Sequence, residues 1–393
     1  MQRRIADIEL LRGVSIALVV LHQFKNVLID GHSTALNKLF SFFDFWIGTD
    51  IFFAISGFVV ARSLLTQLDL PCITHKQFFI DVAAFWLKRV WRLWPSAWLW
   101  LVLILVAVVY GNQSGSFGSF TANIEATAVA ILQVANFRFA DSLVQNFEYG
   151  ASSVYWSLSQ VEQFYVLLPI LVFVLRHKLA AVLLVLLIAK AVLALLFPDF
   201  NSIILTMLLR ADALLWGVLL AIWAGQPSYL VFEPTVFRHR LARWGLSGLL
   251  LICLGGLAAN GSHVISNAFR FVLIGVVAAI PVFVASYDKS YLCATGWLQS
   301  LLMWVGSRSY GIYLIHVPVF LLTREIWFRL MPADTVFDGA FNIRFTLTAI
   351  PMLIVLSELN YRLLERPLRN RGKRIAEQFR AAHQESEQQQ VAQ

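Results

Sequence analysis

Charge is scarce in this chain of 393 residues. Only 14% of the residues are Asp, Glu, Lys or Arg, whereas 59% are hydrophobic and the mean hydropathy is +0.71. Soluble domains carry about 25% charged residues, and a single soluble core of this size cannot bury so much apolar surface. The composition therefore excludes a soluble enzyme, a nucleic-acid-binding domain and a disordered protein. It indicates an all-α integral membrane protein.

Cysteine is also rare, and the three cysteines present form no metal-ligand pattern. Cys72, Cys253 and Cys293 are far apart in the sequence, and without zinc-ligand spacing we expect no metal. If the N-terminus is cytoplasmic, Cys72 and Cys293 fall on the reducing side and Cys253 lies inside a span, so we expect no disulfide. Walker and dinucleotide-binding glycine loops are likewise missing from the sequence.

Long apolar runs are abundant. Ten stretches are suited to membrane-spanning helices, near residues 8–29, 45–65, 93–110, 154–175, 179–197, 202–224, 245–260, 265–286, 302–326 and 344–364. We expect a polytopic bundle of about ten transmembrane helices within residues 1–365. Residues 366–393 read as a basic and then Gln/Glu-rich cytoplasmic tail that is partly disordered. We expect no cleaved signal peptide, because the first stretch lacks a cleavage site.

Lys and Arg residues predict the orientation of the spans. If the N-terminus is cytoplasmic, 18 basic residues outside the spans fall on the cytoplasmic side and five on the other. Positive charge accumulates on the cytoplasmic loops of membrane proteins. The bias predicts an even number of spans with both termini in the cytoplasm. The basic and aromatic composition of the loop 66–92 predicts an interfacial segment. The outer loop 111–153 contains an apolar stretch that is too short and too polar to span, which predicts a re-entrant or interfacial helix.

Polar residues inside the apolar spans are the most informative feature of the sequence. A charge at mid-bilayer costs several kcal/mol unless it faces protein or water. Ser309, Tyr313 and His316 are spaced to share one helix face. Such stripes are typical of a hydrated or ligand-filled cavity in a bundle. The residues of this kind are Arg12, His22, Asp50, Ser56, Arg62, Glu162, Arg210, Asp212, Ser309, Tyr310, Tyr313 and His316.

The residues alone also permit structural interpretations. Arg12 could extend to cytoplasmic headgroups, and His22 could be a hydrogen-bonded structural histidine. Glu162 could pair with an intramembrane arginine. Arg89 and Arg92 could be lipid anchors at the inner face rather than phosphate ligands.

Two further pairs have simple structural explanations. Ser56–Gly57 is typical of a small-residue packing contact between helices. Arg210 and Asp212 are close enough in sequence to form a local structural or capping pair.

Seven motifs in a fixed order resemble the membrane-bound acyltransferase 3 family. They are IELLRGVSIALVVLHQF, GTDIFFAISGFVVARSL, LKRVWRLWPS, YWSLSQVEQFYVLLP, RADALLWGVLLA, SRSYGIYLIHVPV and YRLLERPLR. The resemblance implies a ten-helix bundle in the bacterial cytoplasmic (inner) membrane. It implies transfer of an acyl group, usually acetyl, from cytoplasmic acyl-CoA to lipopolysaccharide, exopolysaccharide, peptidoglycan or another glycan at the outer face. Some members carry an extra hydrolase-like domain, which we do not expect here.

The resemblance also implies roles for particular residues. The family's central motif is a basic residue and a histidine with ten residues between them, whereas nine residues lie between Arg12 and His22. This spacing turns the pair about 80° apart on an ideal helix, instead of about 20°, unless a π-bulge or the long Arg side chain restores convergence. Glu162 matches an acidic position in the fourth span. The basic inner-loop motif and the ninth-span motif are matched by Arg89, Arg92, Ser309, Tyr310, Tyr313 and His316.

These residues suit metal-free acyl transfer. We expect His22 to act as the general base, Glu162 to orient it or share the proton transfer, and Arg12 to stabilise the oxyanion or hold CoA. The expected ligands of the CoA phosphates are Arg62, Arg89 and Arg92. The residues expected to support the substrate are Asp50, Ser56, Ser309, Tyr310, Tyr313 and His316. A covalent acyl-His22 or acyl-Ser56 intermediate remains open.

Two other functions fit parts of this pattern. Buried His, Glu and Arg residues would also suit a proton-coupled transporter or a glycan flippase, although the sequence shows no inverted repeat. The acceptor could instead be a small-molecule or antibiotic hydroxyl. We expect the bilayer, acyl-CoA and an outer glycan as partners and no nucleic acid, while the sequence specifies neither the acceptor nor the oligomeric state.

Overall fold

The protein is described by a computed structural model that covers residues 5–28, 41–66, 75–197, 210–259, 267–292, 296–332 and 335–392. These residues form helices and connecting turns, and none of them is in a β-strand. The helices are α1 (Ala6–Gln23, continued by a π-helical turn, Phe24–Leu28), α2 (Gly48–Leu65), α3 (His75–Tyr110), α4 (Phe120–Ile131), α5 (Ala135–Gln145), α6 (Tyr155–Leu175), α7 (Leu179–Leu196), α8 (Asp212–Trp223), α9 (Arg240–Ala258), α10 (Asn267–Ser286), α11 (Trp297–Ser307), α12 (Ser309–Leu330), α13 (Asn342–Asn360) and α14 (Arg366–Ala392).

Seven helical segments in the described residues are long and apolar enough to cross a membrane, which makes the protein a multi-pass membrane protein. They are Gly48–Leu65, His75–Tyr110, Tyr155–Leu196, Arg240–Ala258, Phe269–Ser286, Ser309–Leu330 and Gly339–His383. Tyr155–Leu196 contains α6 and α7, which are joined by the short turn Arg176–Lys178. The predicted count of ten also requires α1 and the stretch 202–224, of which residues 202–209 lie outside the described part.

Three connections differ from the sequence prediction. Helix α3 is 36 residues long and includes most of the segment predicted as an interfacial loop, because Phe78, Val82 and Phe85 of its first half are buried in the core. The outer loop 111–153 holds two helices, α4 and α5, rather than one. The ninth predicted stretch is interrupted at Arg308, where α11 ends and α12 begins.

The segment predicted as a cytoplasmic tail contains helix α14, Arg366–Ala392. This helix packs on the first half of α3. Ala376 is fully buried, Arg380 forms an ion pair of 2.9 Å with Asp81, and Gly372 lies so close to Trp91 that a methyl group on Gly372 would overlap the Trp91 Cβ. Overall composition reports polarity and does not reveal this narrow packing face.

Glycines permit two close helix crossings. Gly57 of α2 lies against the backbone of Leu214 in α8, and Gly217 of α8 lies against the backbone of Ala54 in α2. Gly13 of α1 makes an equally close approach to α11. Small residues let helix backbones approach where lipid provides no hydrophobic driving force. Gly57 therefore has the packing role, which leaves its neighbour Ser56 to face a cavity.

Candidate active site

A largely apolar cavity lies among α1, α2, α3, α6 and α12. Its volume is about 90 Å³. Tyr310 donates a hydrogen bond of 2.7 Å to the carbonyl of Leu93, and Tyr313 donates one of 2.8 Å to the carbonyl of Val154. These bonds fix the two rings as walls. The predicted site residues that line this apolar cavity are Arg12, Ser56, Arg89, Arg92, Ser309, Tyr310 and Tyr313.

A second, basic cavity of about 240 Å³ adjoins the apolar cavity. The two share lining residues from α1, α2, α3 and α12, namely Arg12, Val59, Arg92, Ser309 and Tyr310. The basic cavity adds Arg62 from α2, two cations of α14 and the carboxylates of Glu9 and Glu365. A charged chamber therefore shares part of its wall with a narrow apolar one.

Arg89 and Arg62 rest on aromatic rings. The guanidinium of Arg89 lies 5.2 Å from the ring centroid of Phe85 and 5.1 Å from that of Tyr165, and that of Arg62 lies 6.0 Å from the centroid of Phe58. Such stacking leaves guanidinium N–H groups available for an anion. Arg89 and Arg92 thus line the apolar cavity, rather than acting only as lipid anchors.

His22 lies outside both cavities, in a hydrogen-bonded pair with Asp44. Its Nδ1 is 2.8 Å from Oδ1 of Asp44 and its Nε2 is 3.1 Å from the amide nitrogen of Asn26. Because a carboxylate only accepts and an amide NH₂ only donates, Nδ1 carries the proton and Nε2 presents a lone pair. Asn26 belongs to the π-helical turn, which follows His22 and so does not bring it round toward Arg12.

Asp44 is held as a carboxylate. Burial on its own raises the pKa of Asp44, but the hydrogen bond and charge of His22, the charge of Lys25 and the N–H of Phe45 together place that pKa below its ordinary value of 3.8. Asp44 is therefore ionised at neutral pH. It supplies the orienting group for His22 that the sequence analysis expected of Glu162.

Two other predicted site residues are buried in α12 and α6. His316 is completely buried, with Nδ1 3.1 Å from the carbonyl of Ile312 and no partner for Nε2 in the described residues. Glu162 accepts a hydrogen bond of 2.7 Å from Nε1 of Trp94, and its other oxygen has no partner in the same part of the chain. Neither residue lines the two cavities described above.

Asp50 is engaged in a buried ion pair with Arg210. The two side chains approach to 2.7 Å, and the guanidinium lies 4.3 Å from the ring centroid of Trp46. Asp212 instead pairs with Lys190 at 2.7 Å. The local Arg210–Asp212 pair considered from sequence spacing is therefore replaced by two ion pairs between helices, and Asp50 supports the bundle rather than lining a cavity.

The amino-acid sequence matches a known protein family over most of its length. A profile of the acyltransferase domain family matches residues 5–358. The chain belongs to this acyltransferase family. No solved structure matches it.

Similar curated proteins are bacterial O-acetyltransferases. Peptidoglycan O-acetyltransferase OatA of Listeria monocytogenes is 27% identical over 346 residues, which cover 83% of this chain and 52% of that protein. The putative peptidoglycan O-acetyltransferase YrhL of Bacillus subtilis is 28% identical, with 83% and 51% covered. O-acetyltransferase OatA of Staphylococcus aureus is 24% identical, with 83% and 53% covered. The chain spans about half the length of these relatives.

Sequence reasoning missed several residues that lie beside the predicted site residues. Asp44 precedes α2 in an aromatic segment, FFDFW, and nothing in its spacing relates it to His22. Asn26 lies one turn after His22, a spacing that could have indicated the contact. The cations of α14 were interpreted only as tail charge. In the described residues, no group of three or more His, Cys, Asp or Glu side chains is placed to hold a metal ion.

Proposed function

We propose that this acyltransferase moves an acetyl group from cytoplasmic acetyl-CoA to a hydroxyl of a cell-surface glycan. The observation that carries the proposal is that the basic cavity adjoins the apolar cavity and shares Arg12 and Arg92 with it. Phosphates suit the basic cavity, and a long uncharged thioester arm suits the apolar cavity. The relatives are named as O-acetyltransferases, two of them for peptidoglycan. Peptidoglycan, lipopolysaccharide and exopolysaccharide are the acceptors we propose to test.

We further propose ten membrane crossings in the bacterial cytoplasmic membrane, with both termini in the cytoplasm. The break at Arg176–Lys178 makes α6 and α7 separate crossings, and α1 and α8 supply two more. The excess of basic residues on one side supports this orientation. The basic cavity then faces the cytoplasm, where acetyl-CoA is available, and His22 lies toward the outer face, where the glycan acceptor is available.

Arg12 and His22 are too far apart to act on the same group. They are ten residues apart on α1, which is about 15 Å along the helix axis. A single reacting carbonyl cannot contact both side chains at that distance. In the proposed reaction Arg12 therefore holds the donor, and the pantetheine arm extends through the apolar cavity toward His22.

His22 is the proposed general base. The acceptor hydroxyl displaces the amide of Asn26 and gives its proton to Nε2, while its oxygen forms a bond to the acetyl carbon. The carbon–sulfur bond then breaks, and the proton on Nε2 passes to the CoA thiolate. Asp44 holds Nδ1–H throughout and stabilises the imidazolium that forms between these steps.

Replacement of His22 by alanine tests the proposal. His22→Ala should abolish both the acetyl increment on surface glycans, measured by mass spectrometry, and acceptor-dependent release of free CoA from proteoliposomes. His177→Ala is the matched control, because His177 is exposed in the turn between α6 and α7. Normal acetylation by His22→Ala would overturn the assignment. A transporter or flippase would instead move its substrate unaltered and release no CoA.

A further inference from the structure

The basic cavity contains more positive charge than its own carboxylates neutralise. Five cations line it, from four different helices: Arg12, Arg62, Arg92, Arg369 and Lys373. In the part of the chain that the structure describes, two carboxylates face them. Glu9 is 3.3 Å from Arg12, and Glu365 accepts a hydrogen bond of 2.7 Å from Asn360. The cavity therefore has a net positive charge that a compact polyanion would balance.

Arg369 contributes a buried hydrogen-bond donor to this cavity. Its Nε is buried and has no hydrogen-bond partner in the described residues. Within the same residues, no carboxylate oxygen lies within 4.0 Å of Arg62, Arg92, Arg369 or Lys373, since the ion pairs found there involve other cations. A buried N–H group without a partner is costly, so a bound acceptor of hydrogen bonds would be favourable here.

Helix α14 is fixed in a position that aims two cations into the cavity. Arg369 and Lys373 are four residues apart and share one face of the helix. The contact of Gly372 with Trp91 and the ion pair of Arg380 with Asp81 hold α14 against α3. These contacts lie on both sides of Lys373 in sequence, so the cations do not depend on a loose tail for their placement.

We propose that Arg369 and Lys373 of α14 complete a phosphate-binding site in the basic cavity for the nucleotide end of the acyl-CoA donor. This inference rests on the proposed function, because it takes the donor to be acyl-CoA. Guanidinium groups bind phosphate oxygens in a bidentate manner, and lysine adds a mobile point charge. Arg12, Arg62 and Arg92 supply the remaining contacts, so the donor is bound jointly by the first and last parts of the described chain.

A comparison of two acyl donors, acetyl-CoA and acetyl-pantetheine, tests the assignment in nanodiscs that contain the full chain. Arg369→Gln and Lys373→Gln should each raise the Kd for CoA and the KM for acetyl-CoA by about ten-fold, the effect of one charged hydrogen bond. Transfer from acetyl-pantetheine, which lacks phosphates, should proceed with the wild-type kcat/KM. Arg374→Gln is the matched control, since Arg374 is an exposed cation of the same helix that does not line the cavity.

The outcomes separate this inference from the proposed function. Wild-type affinity for CoA in Arg369→Gln and Lys373→Gln, or an equal loss in Arg374→Gln, would overturn the site and leave acetyl transfer intact. If the wild type binds CoA and inorganic pyrophosphate through Arg369 and yet transfers no acetyl group, the site stands and the proposed function fails.

A phospholipid headgroup is the other source of phosphate at this position, and lipid composition distinguishes it. We expect the same Kd for CoA in nanodiscs of phosphatidylcholine alone and in nanodiscs with added phosphatidylglycerol. Competition by phosphatidylglycerol in the wild type that disappears in Arg369→Gln would assign the site to lipid and contradict binding of the donor.

Discussion

At the scale of single residues, the imidazole of His22 lies between two side chains of opposite hydrogen-bonding character. The carboxylate of Asp44 can only accept a hydrogen bond from Nδ1–H, and the NH₂ of Asn26 can only donate a hydrogen bond to Nε2. Together they select a single tautomer, in which the nitrogen remote from Asp44 is free to act as a base once Asn26 is displaced. This arrangement makes Asp44 a positioning residue for the proposed reaction.

Replacement of Asp44 by asparagine should slow the reaction without weakening donor binding. The new amide can present its NH₂ to Nδ1, which moves the imidazole proton to Nε2 and removes the base. We expect kcat to fall about 100-fold, within the range for loss of general-base catalysis, with an unchanged KM for acetyl-CoA. Asp44→Glu should recover part of kcat. A raised KM with normal kcat would instead point to a structural role.

Glu233 provides a pH-dependent contact in the connection between α8 and α9. Hydrogen bonds from Lys289, Tyr291 and Arg238 lower the pKa of Glu233 from 4.5 to about 2. Its stabilising contribution is complete above pH 4.5 and is lost as the pH falls toward 2. Glu233→Gln should therefore have a lower Tm than the wild type at neutral pH, and that difference should shrink below pH 4.5. A difference in Tm that is independent of pH would contradict the ionic contact.

At the scale of helices, the crossing of α2 and α8 leaves no room for a side chain at Gly57. A methyl group there would overlap the carbonyl oxygen of Leu214, and overpacking of this kind costs about 1–3 kcal/mol. Gly57→Ala should lower the Tm of the detergent-solubilised protein. Gly248→Ala in α9 is the control, because nothing lies within 4 Å of a methyl group at Gly248, and alanine there should maintain or raise the Tm.

The helices were easier to predict than their contacts. A lipid environment requires every backbone N–H and C=O to be satisfied within the segment, so an apolar run long enough to span is already a helix. The extra length of α3 was missed because its first half is rich in Arg and Trp and resembles an interfacial loop. The pair of Asp50 with Arg210 was missed because 160 residues separate them and no local pattern links the two.

The site was predictable in part for the same reason. Charged and hydroxyl residues inside apolar runs stood out, and Arg12, Ser56, Arg92 and Tyr313 do face one cavity. The pair of His22 and Asp44 at the opposite end of α1 did not stand out, because Asp44 lies just before the apolar run 45–65 instead of interrupting it. Arg369 was hidden among many basic residues of the tail, where only the fold shows which of them faces inward.

At the scale of the whole molecule, the proposed orientation can be measured directly. Green fluorescent protein fused after Gln393 should fluoresce and alkaline phosphatase fused at the same position should be inactive, because the C-terminus is proposed to be cytoplasmic. In a variant whose native cysteines are replaced by alanine, Ser116→Cys in the outer loop should react with an impermeant maleimide on intact spheroplasts. Phosphatase activity of the fusion, or labelling only after lysis, would reverse the topology.

The distance along α1 between Arg12 and His22 has an electrical consequence. In the proposed complex, the phosphates of the donor are bound among Arg62, Arg92 and Arg369, so its negative charges stay at one face of the bilayer and only the uncharged thioester arm reaches inward. Each elementary charge carried across a membrane couples to the voltage by about 2.3 kcal/mol per 100 mV. A carrier that exported whole acetyl-CoA would be driven by the membrane potential, whereas this enzyme should deliver acetyl groups at the same rate in energised and de-energised membranes.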